Sequence, residues 1–293
     1  MKLFTFLKNG QPTLGVKTDA GIIDIAAALQ EKPQPGVPTD IMDVISGGEQ
    51  MVEALERYVS DLSGVKTLDE DTIEWGACVT RPSKIICVGL NYRKHADETG
   101  AKYPEVPILF NKFQNALAGH KQNIAVPSVT EKLDYEVELG IVIGKTAKNV
   151  SEESALDYVF GYCTANDLSA RDLQMRTPQW MLGKTCDGFC PVGPYLVTKD
   201  EVGDPQNLQL KTVVNGEIRQ NSNTSDMIFS CREIISYISK HMTLVPGDLI
   251  LTGTPEGVIM GFPPEKQNYL KPGDTVTVEV EKLGALTNTF VKE

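Results

Sequence analysis

The chain has 293 residues, 41% hydrophobic and 23% charged, which fits an ordinary folded protein of one large domain or a main domain with a small companion. Its 28 Lys and Arg against 39 Asp and Glu give a net charge of −11. Such a surface repels polyanions, and with no basic patch in view a nucleic-acid partner is not expected. No apolar run approaches the ~18 residues of a membrane span, so no membrane role is expected either.

The first residues, 1–7, are apolar, but Lys8-Asn9-Gly10 interrupts them before a signal-peptide core could form. The expected location is therefore the cytoplasm. The six cysteines (Cys78, Cys87, Cys163, Cys186, Cys190, Cys231) contain no C-x-x-C pair, and several sit in apolar strand-like runs, as reduced, packed thiols do. Asn9-Gly10 reads as a hairpin turn between strands at 3–7 and 13–16, and a further strand is expected at 22–25. After a proline-rich stretch at 32–38, Asp40 reads as an N-cap for 41–45, and 50–59 has helical apolar spacing. This small N-terminal α/β unit is expected to span 1–78.

From residue 84 onward most signals are strand: 85–88, 108–110, 133–143, 160–165, 195–198, 208–214, 249–251 and 275–280. Asn215-Gly216 marks a hairpin, and Pro246-Gly247-Asp248 and Pro272-Gly273-Asp274 each place a turn before a strand. Helices are expected after Ser151, with Glu152 and Glu153 in the first turn, and after Ser230, where Ser230-x-x-Glu233 forms a capping box. Strands do not alternate with full-length helices and no Gly-x-Gly-x-x-Gly follows a strand, which argues against a dinucleotide fold. The fold class is α+β and β-rich, with the second domain at 79–293.

The run 133–143 is the most informative. Strand alternation puts Tyr135, Val137, Leu139, Ile141 and Ile143 on one apolar face and Glu136 and Glu138 side by side on the other. Taken alone, this reads more simply as a half-exposed strand with two solvated glutamates. The apolar run from Phe160 then delivers Asp167 at its end, where a carboxylate is costly unless paired or bound to metal. Three carboxylates with no clustered histidine or thiolate would select a hard cation, Mg²⁺, Mn²⁺ or Ca²⁺, over zinc. Lys184 could offset the remaining negative charge and reach an anionic substrate. If the stretch after Cys87-Val88-Gly89 is helical, His95 and Glu98 lie one turn apart, and the carboxylate can orient the imidazole as a base. A surface histidine beside a surface glutamate is the plainer reading of that pair. The proline-flanked loop 103–107 reads as part of a lid.

Together these segments resemble the fumarylacetoacetate hydrolase family along 84–290. The resemblance rests on Val88-Gly89-Leu90-Asn91-Tyr92 with His95 and Glu98, Tyr135-Glu136-Val137-Glu138-Leu139, and Asn166-Asp167-Leu168-Ser169-Ala170-Arg171-Asp172. It continues through Gly183-Lys184, Cys190-Pro191-Val192-Gly193-Pro194, Val214-Asn215-Gly216-Glu217, Met227-Ile228-Phe229-Ser230 and Leu251-Thr252-Gly253-Thr254-Pro255. It implies metal ligation by Glu136, Glu138 and Asp167, a His95–Glu98 dyad as general base, an active-site Lys184, and substrate contacts from Thr254, Arg171 and Gln174. It also implies a mixed β-roll core and a homodimer. Phe113 departs from the family, whose members more often carry a small residue or proline there, and this bears on the pocket wall.

The implied activity is metal-dependent C–C bond cleavage in a small 2-oxo acid, of the acylpyruvate or fumarylpyruvate hydrolase type. Oxaloacetate decarboxylation, or an isomerase or hydratase reaction, is the alternative within the family. A non-catalytic metal-binding scaffold is the alternative outside it, and the presence of His95, Glu98 and Lys184 argues against that.

Overall fold

The computed structural model describes residues 1–62, 64 and 66–293. The strand signals sort into two main sheets. The larger runs Gly21–Asp24, Gln11–Thr18, Lys2–Lys8, Cys190–Thr198, Val159–Asn166, Val137–Ile143, Leu249–Leu251, Ile85–Gly89 and Ile108–Lys112. The smaller runs Glu217–Asn223, Gln209–Val214, Thr275–Val280, Gly284–Lys292 and Asn123–Val126. Both mix parallel and antiparallel neighbours. The architecture is thus α+β and β-rich, as the sequence implies.

Turn chemistry explains the local pairing. Asn9 and Gly10 both take positive φ (54° and 74°), and so do Asn215 and Gly216 (49° and 87°). Each pair closes a two-residue hairpin, Lys8 opposite Gln11 and Val214 opposite Glu217, in the conformation that matches strand twist. The first three strands extend the larger sheet, because Lys2 pairs with Val197 and Leu3 with Leu196.

The smaller sheet packs across the middle of the larger. The smaller sheet covers one face of Val137–Ile143 and Val159–Asn166, and both strands are buried at every position, so their other face is covered as well. In the covering sheet, Thr275–Val280 buries Val276, Val278 and Val280 and leaves the alternate residues half-buried, the pattern of a sheet with one wet face. Two solvated glutamates on Val137–Ile143 are therefore excluded: Glu138 is 1% exposed and Glu136, just before the strand, 5%.

Three local expectations change. The run 133–143 is two strands, Leu133–Asp134 and Val137–Ile143. Between them Tyr135 N bonds to Asp134 Oδ1 and Glu136 N to Asn166 Oδ1, so side-chain oxygens replace the ladder. Ser151 does not open an α-helix; its hydroxyl is 3.2 Å from that of Ser154, and only a 3₁₀ turn, Ala155–Tyr158, fits before the next strand. Ile41–Asp61 is one helical stretch broken at Gly48 (φ 59°, ψ −145°), which keeps the 41–45 and 50–59 pieces distinct. None of the six cysteines is paired, and five are buried.

Ser230 forms the expected capping box on Cys231–His241: its hydroxyl accepts from Glu233 N, and Glu233 Oε2 accepts from Ser230 N at 2.7 Å. Ser230→Ala should cost about 1 kcal/mol, read as a lower urea midpoint at unchanged slope. An unchanged midpoint would mean that tertiary packing alone holds this helix end.

Candidate active site

The side chains singled out from sequence converge on one cavity of about 620 Å³. It is lined by His95, Glu98, Glu136, Glu138, Arg171, Gln174, Lys184 and Thr254, with Phe110 and Trp180 among its apolar walls. Phe113, the departure noted in the sequence, is 50% exposed and is not among the lining residues. Asp167 lies beneath this lining, and oxygens of Glu136, Glu138 and Asp167 come within 4.8 Å of one another.

Each carboxylate is held differently. Glu136 meets two cations: Lys184 Nζ at 2.8 Å from Oε2 and Arg171 Nη2 at 2.7 Å from Oε1. Burial alone would raise its carboxyl, but the charges of Lys184 and Arg171 outweigh burial and bring it down to about 2. Asp167 meets Lys184 through Oδ2 (2.9 Å) and Lys112 through Oδ1 (2.6 Å). Glu138 forms no ion pair among the described residues; Gly253 N donates to its Oε2 at 2.6 Å. Burial first, then repulsion from Asp167 and Glu136, holds its carboxyl well above the usual range.

Lys112 is the group that sequence reasoning missed. Its ammonium is buried and donates to the carbonyls of Leu168 (3.0 Å), Lys184 (2.5 Å) and Phe189 (2.8 Å). An ammonium has three protons, so all are spent and Asp167 Oδ1 receives charge without a hydrogen bond. No local pattern marked it: Ile108–Lys112 does not alternate, and the lysine is its one buried position.

The dyad forms as the i, i+3 spacing implies. Arg93–Glu98 is helical and His95 Nδ1 lies 2.8 Å from Glu98 Oε1. Glu98 Oε2 accepts from Gly257 N at 2.9 Å, which docks the helix on the loop after Thr254. Just before the expected lid loop, Thr99 and Ala101 reach the cavity, whereas Tyr103 within that loop turns its hydroxyl to Asp97. Thr254 donates to Val137 O and accepts from Gln220 Nε2. Arg171 spans Asp134, Gln174 and Glu136.

Glycine is required where the loop meets Glu138. Gly253 has φ +98°, and a Cβ there would lie 2.7 Å from Asn91 Cβ. Asn91 in turn bonds the Thr252 and Phe229 carbonyls and Phe229 N, pinning the start of the dyad helix to two loops.

This donor set suits a hard divalent ion. All three groups are carboxylates, and the spread of 4.8 Å is one that metal–oxygen bonds of ~2.0–2.6 Å span with small side-chain shifts. Glu138 lacks an ion-pair partner among the described residues, and Asp167 Oδ1 meets Lys112 Nζ at 2.6 Å without hydrogen-bond geometry.

The fumarylacetoacetate (FAA) hydrolase C-terminal family model matches residues 84–291. The chain belongs to the fumarylacetoacetate hydrolase family. It is 41% identical over 298 residues to a Xenopus laevis protein described as oxaloacetate tautomerase fahd2, mitochondrial, covering 99% of this chain and 90% of that one. The solved fumarylacetoacetate hydrolase of Exiguobacterium antarcticum superposes with a TM-score of 0.84 at 35% identity, covering 100% of both chains. The maleylpyruvate hydrolase of a Sphingobium species, solved with manganese(II) and pyruvate, gives 0.80 at 31% identity, covering 100% of this chain and 99% of that one. The chain is accordingly an enzyme of this family, and its fold is the family fold. The sequence reading of hydrolase or isomerase chemistry agrees with these relatives.

The state of Glu138 has a consequence for the chelator-treated protein. Its folded carboxyl binds a proton more readily than its unfolded one, so stability should rise as pH falls from neutral toward the unfolded range near ~4.3. Glu138→Gln should remove that slope and raise the unfolding midpoint at neutral pH. Thermal unfolding in chelator, scanned from about pH 8 to 5, checks this; a lower midpoint in the variant would show that Glu138 is neutralised by other means.

Proposed function

We propose that this enzyme interconverts the keto and enol forms of a short 2-oxo diacid such as oxaloacetate, with Mg²⁺ or Mn²⁺ held by Glu136, Glu138 and Asp167. The observation that carries the reading is the His95–Glu98 pair facing the buried carboxylates across one cavity. The frog relative's description as an oxaloacetate tautomerase supports the substrate. The manganese and pyruvate in the Sphingobium structure support the metal and the 2-oxo acid end.

Charge supports it too. Four buried carboxylates, with Asp134 the fourth, face the buried cations Lys112, Arg171 and Lys184, leaving one negative charge if all are ionised. A divalent ion turns that to one positive, the sign that draws in an anionic substrate. When bound, such an ion supplies a Lewis acid that favours the enolate over the ketone.

The chain's own groups do the rest. Glu98 engages Nδ1 of His95, so Nε2 is left to take the proton from C3 as the enol forms and to return it as the ketone forms. The proton on the C2 oxygen exchanges with water. Although burial opposes its charge, Lys184 is held protonated by Asp167 and Glu136, so it acts as a cation and not as a base. Two of its N–H groups point at Glu136 and Asp167, and the third is left for a substrate oxygen. Gln174 gives its carbonyl to Arg171, which leaves its amide N–H₂ for the substrate.

The second reading is hydrolytic C–C cleavage of an acylpyruvate, favoured by the match to a maleylpyruvate hydrolase. There His95 would take a proton from water instead of from C3. Residues 79–293 supply every group in either scheme; residues 1–78 are read as an accessory unit and the assembly as a homodimer. The relative's mitochondrial description keeps the cytoplasmic location an expectation of the sequence alone.

His95→Ala should slow oxaloacetate tautomerisation by about 10²–10⁴-fold and leave calorimetric Mn²⁺ binding unchanged. Glu138→Gln should weaken Mn²⁺ binding and turnover together, and chelation should abolish an activity that Mg²⁺ or Mn²⁺ restores. The enol absorbance decay reads the first reaction and pyruvate release from acylpyruvates the second. Turnover at the wild-type rate without His95 would end both schemes.

A further inference from the structure

Asp134 is 0% exposed and every one of its partners is a donor. Oδ1 accepts from Tyr135 N (2.9 Å) and Ile259 N (2.9 Å); Oδ2 accepts from Arg171 Nε (2.9 Å) and Met260 N (3.0 Å). Two of these donors belong to the turn Ile259–Gly261 and one to the arginine that reaches Glu136. The same turn meets the dyad, since a Cβ on Gly261 would lie 2.6 Å from Glu98 Cδ, and two residues before the turn Gly257 N donates to Glu98. One carboxylate therefore holds both the Arg171–Gln174 pair and the loop on which Glu98 rests.

We infer that Asp134 is a positioning residue that joins the two halves of the site, fixing the seat of the His95–Glu98 dyad relative to Arg171 and the carboxylate cluster. The turnover arm of its test rests on the function proposed above; the exchange arm does not. Chemistry explains why a carboxylate is needed. Four donors converge on two oxygens, two on each. Asparagine offers one oxygen and one N–H₂, so whichever way it is turned two donors lose their acceptor and face a donor instead. Glutamate is one carbon longer and cannot keep both ends in place without moving the turn.

The test compares Asp134→Asn with Asp248→Asn. Asp248 is also 0% exposed and accepts from Lys84 N and Val245 N, but neither of these partners lines the cavity, whereas Arg171 and Met260, which donate to Asp134, both do. It serves as the control for destabilisation alone. Amide exchange at Gly257, Ile259, Met260 and Gly261 is measured in the substrate-free protein, and kcat and KM for oxaloacetate at saturating Mn²⁺ per folded molecule. In Asp134→Asn these amides should exchange at least tenfold faster than in Asp248→Asn, and kcat should fall about 10-fold or more with a smaller change in KM, while Asp248→Asn keeps wild-type kcat. Equal exchange in the two variants, or wild-type kcat in a folded Asp134→Asn, overturns the inference. If Asp134→Asn does not fold, Arg171→Lys replaces it. This change keeps the charge but loses the Nε contact, and it should speed exchange at Ile259 and Met260, whose N–H groups bond to Asp134 and not to Arg171. Unchanged exchange there overturns the coupling, whether or not oxaloacetate is the substrate.

Discussion

Buried carboxylates cannot stay ionised in a dry interior without nearby positive charge, and that constraint organises the centre of this protein. Glu136, Glu138 and Asp167 are buried beside strands that have no exposed position, and Glu136 and Glu138 form part of the cavity wall. Lys184 bridges Glu136 and Asp167, Lys112 backs Asp167, and Arg171 reaches Glu136. Only Glu138 goes without a cation, and the asymmetry between Glu136 and Glu138 follows from who their neighbours are.

The cations are themselves held by backbone. Lys112 spends its protons on three carbonyls, one of them that of Lys184, so the two lysines share a support. Gly183 beside Lys184 has no room for a side chain, since a Cβ would lie 2.5 Å from Ala170 O and from Gln174 N. The segment carrying Lys184 is thereby packed directly against the one carrying Arg171 and Gln174. Rigid placement of this kind is what electrostatic stabilisation of a developing charge requires, because nothing has to reorganise when the charge appears.

Much of the site was legible in the chain because its signals are local. Alternation set Glu136 and Glu138 on one side of a strand path, and the i, i+3 spacing set His95 beside Glu98. Asn-Gly turns and the Ser230 box also rest on contacts within a few residues, and each formed where expected. The signals failed where distant groups took over. The strand at 133–143 broke because Asn166 captured Glu136 N from across the sheet. The helix after Ser151 was preempted by a strand that began too soon.

By itself the sequence determined the residue types of the candidate site, the β-rich class and the resemblance to one family. The tertiary structure decided which groups share the charge. Lys112 lies 55 residues from Asp167 in the chain, and Asp134 reaches Ile259 and Met260 from more than a hundred residues away. Periodicity carries no record of such pairings, because it reports which face a side chain takes and not what stands opposite it. Whether Glu138 is paired or alone, and whether Arg171 is free or fully engaged, depends on Coulomb and hydrogen-bond distances of a few ångströms that exist only once the sheets have closed.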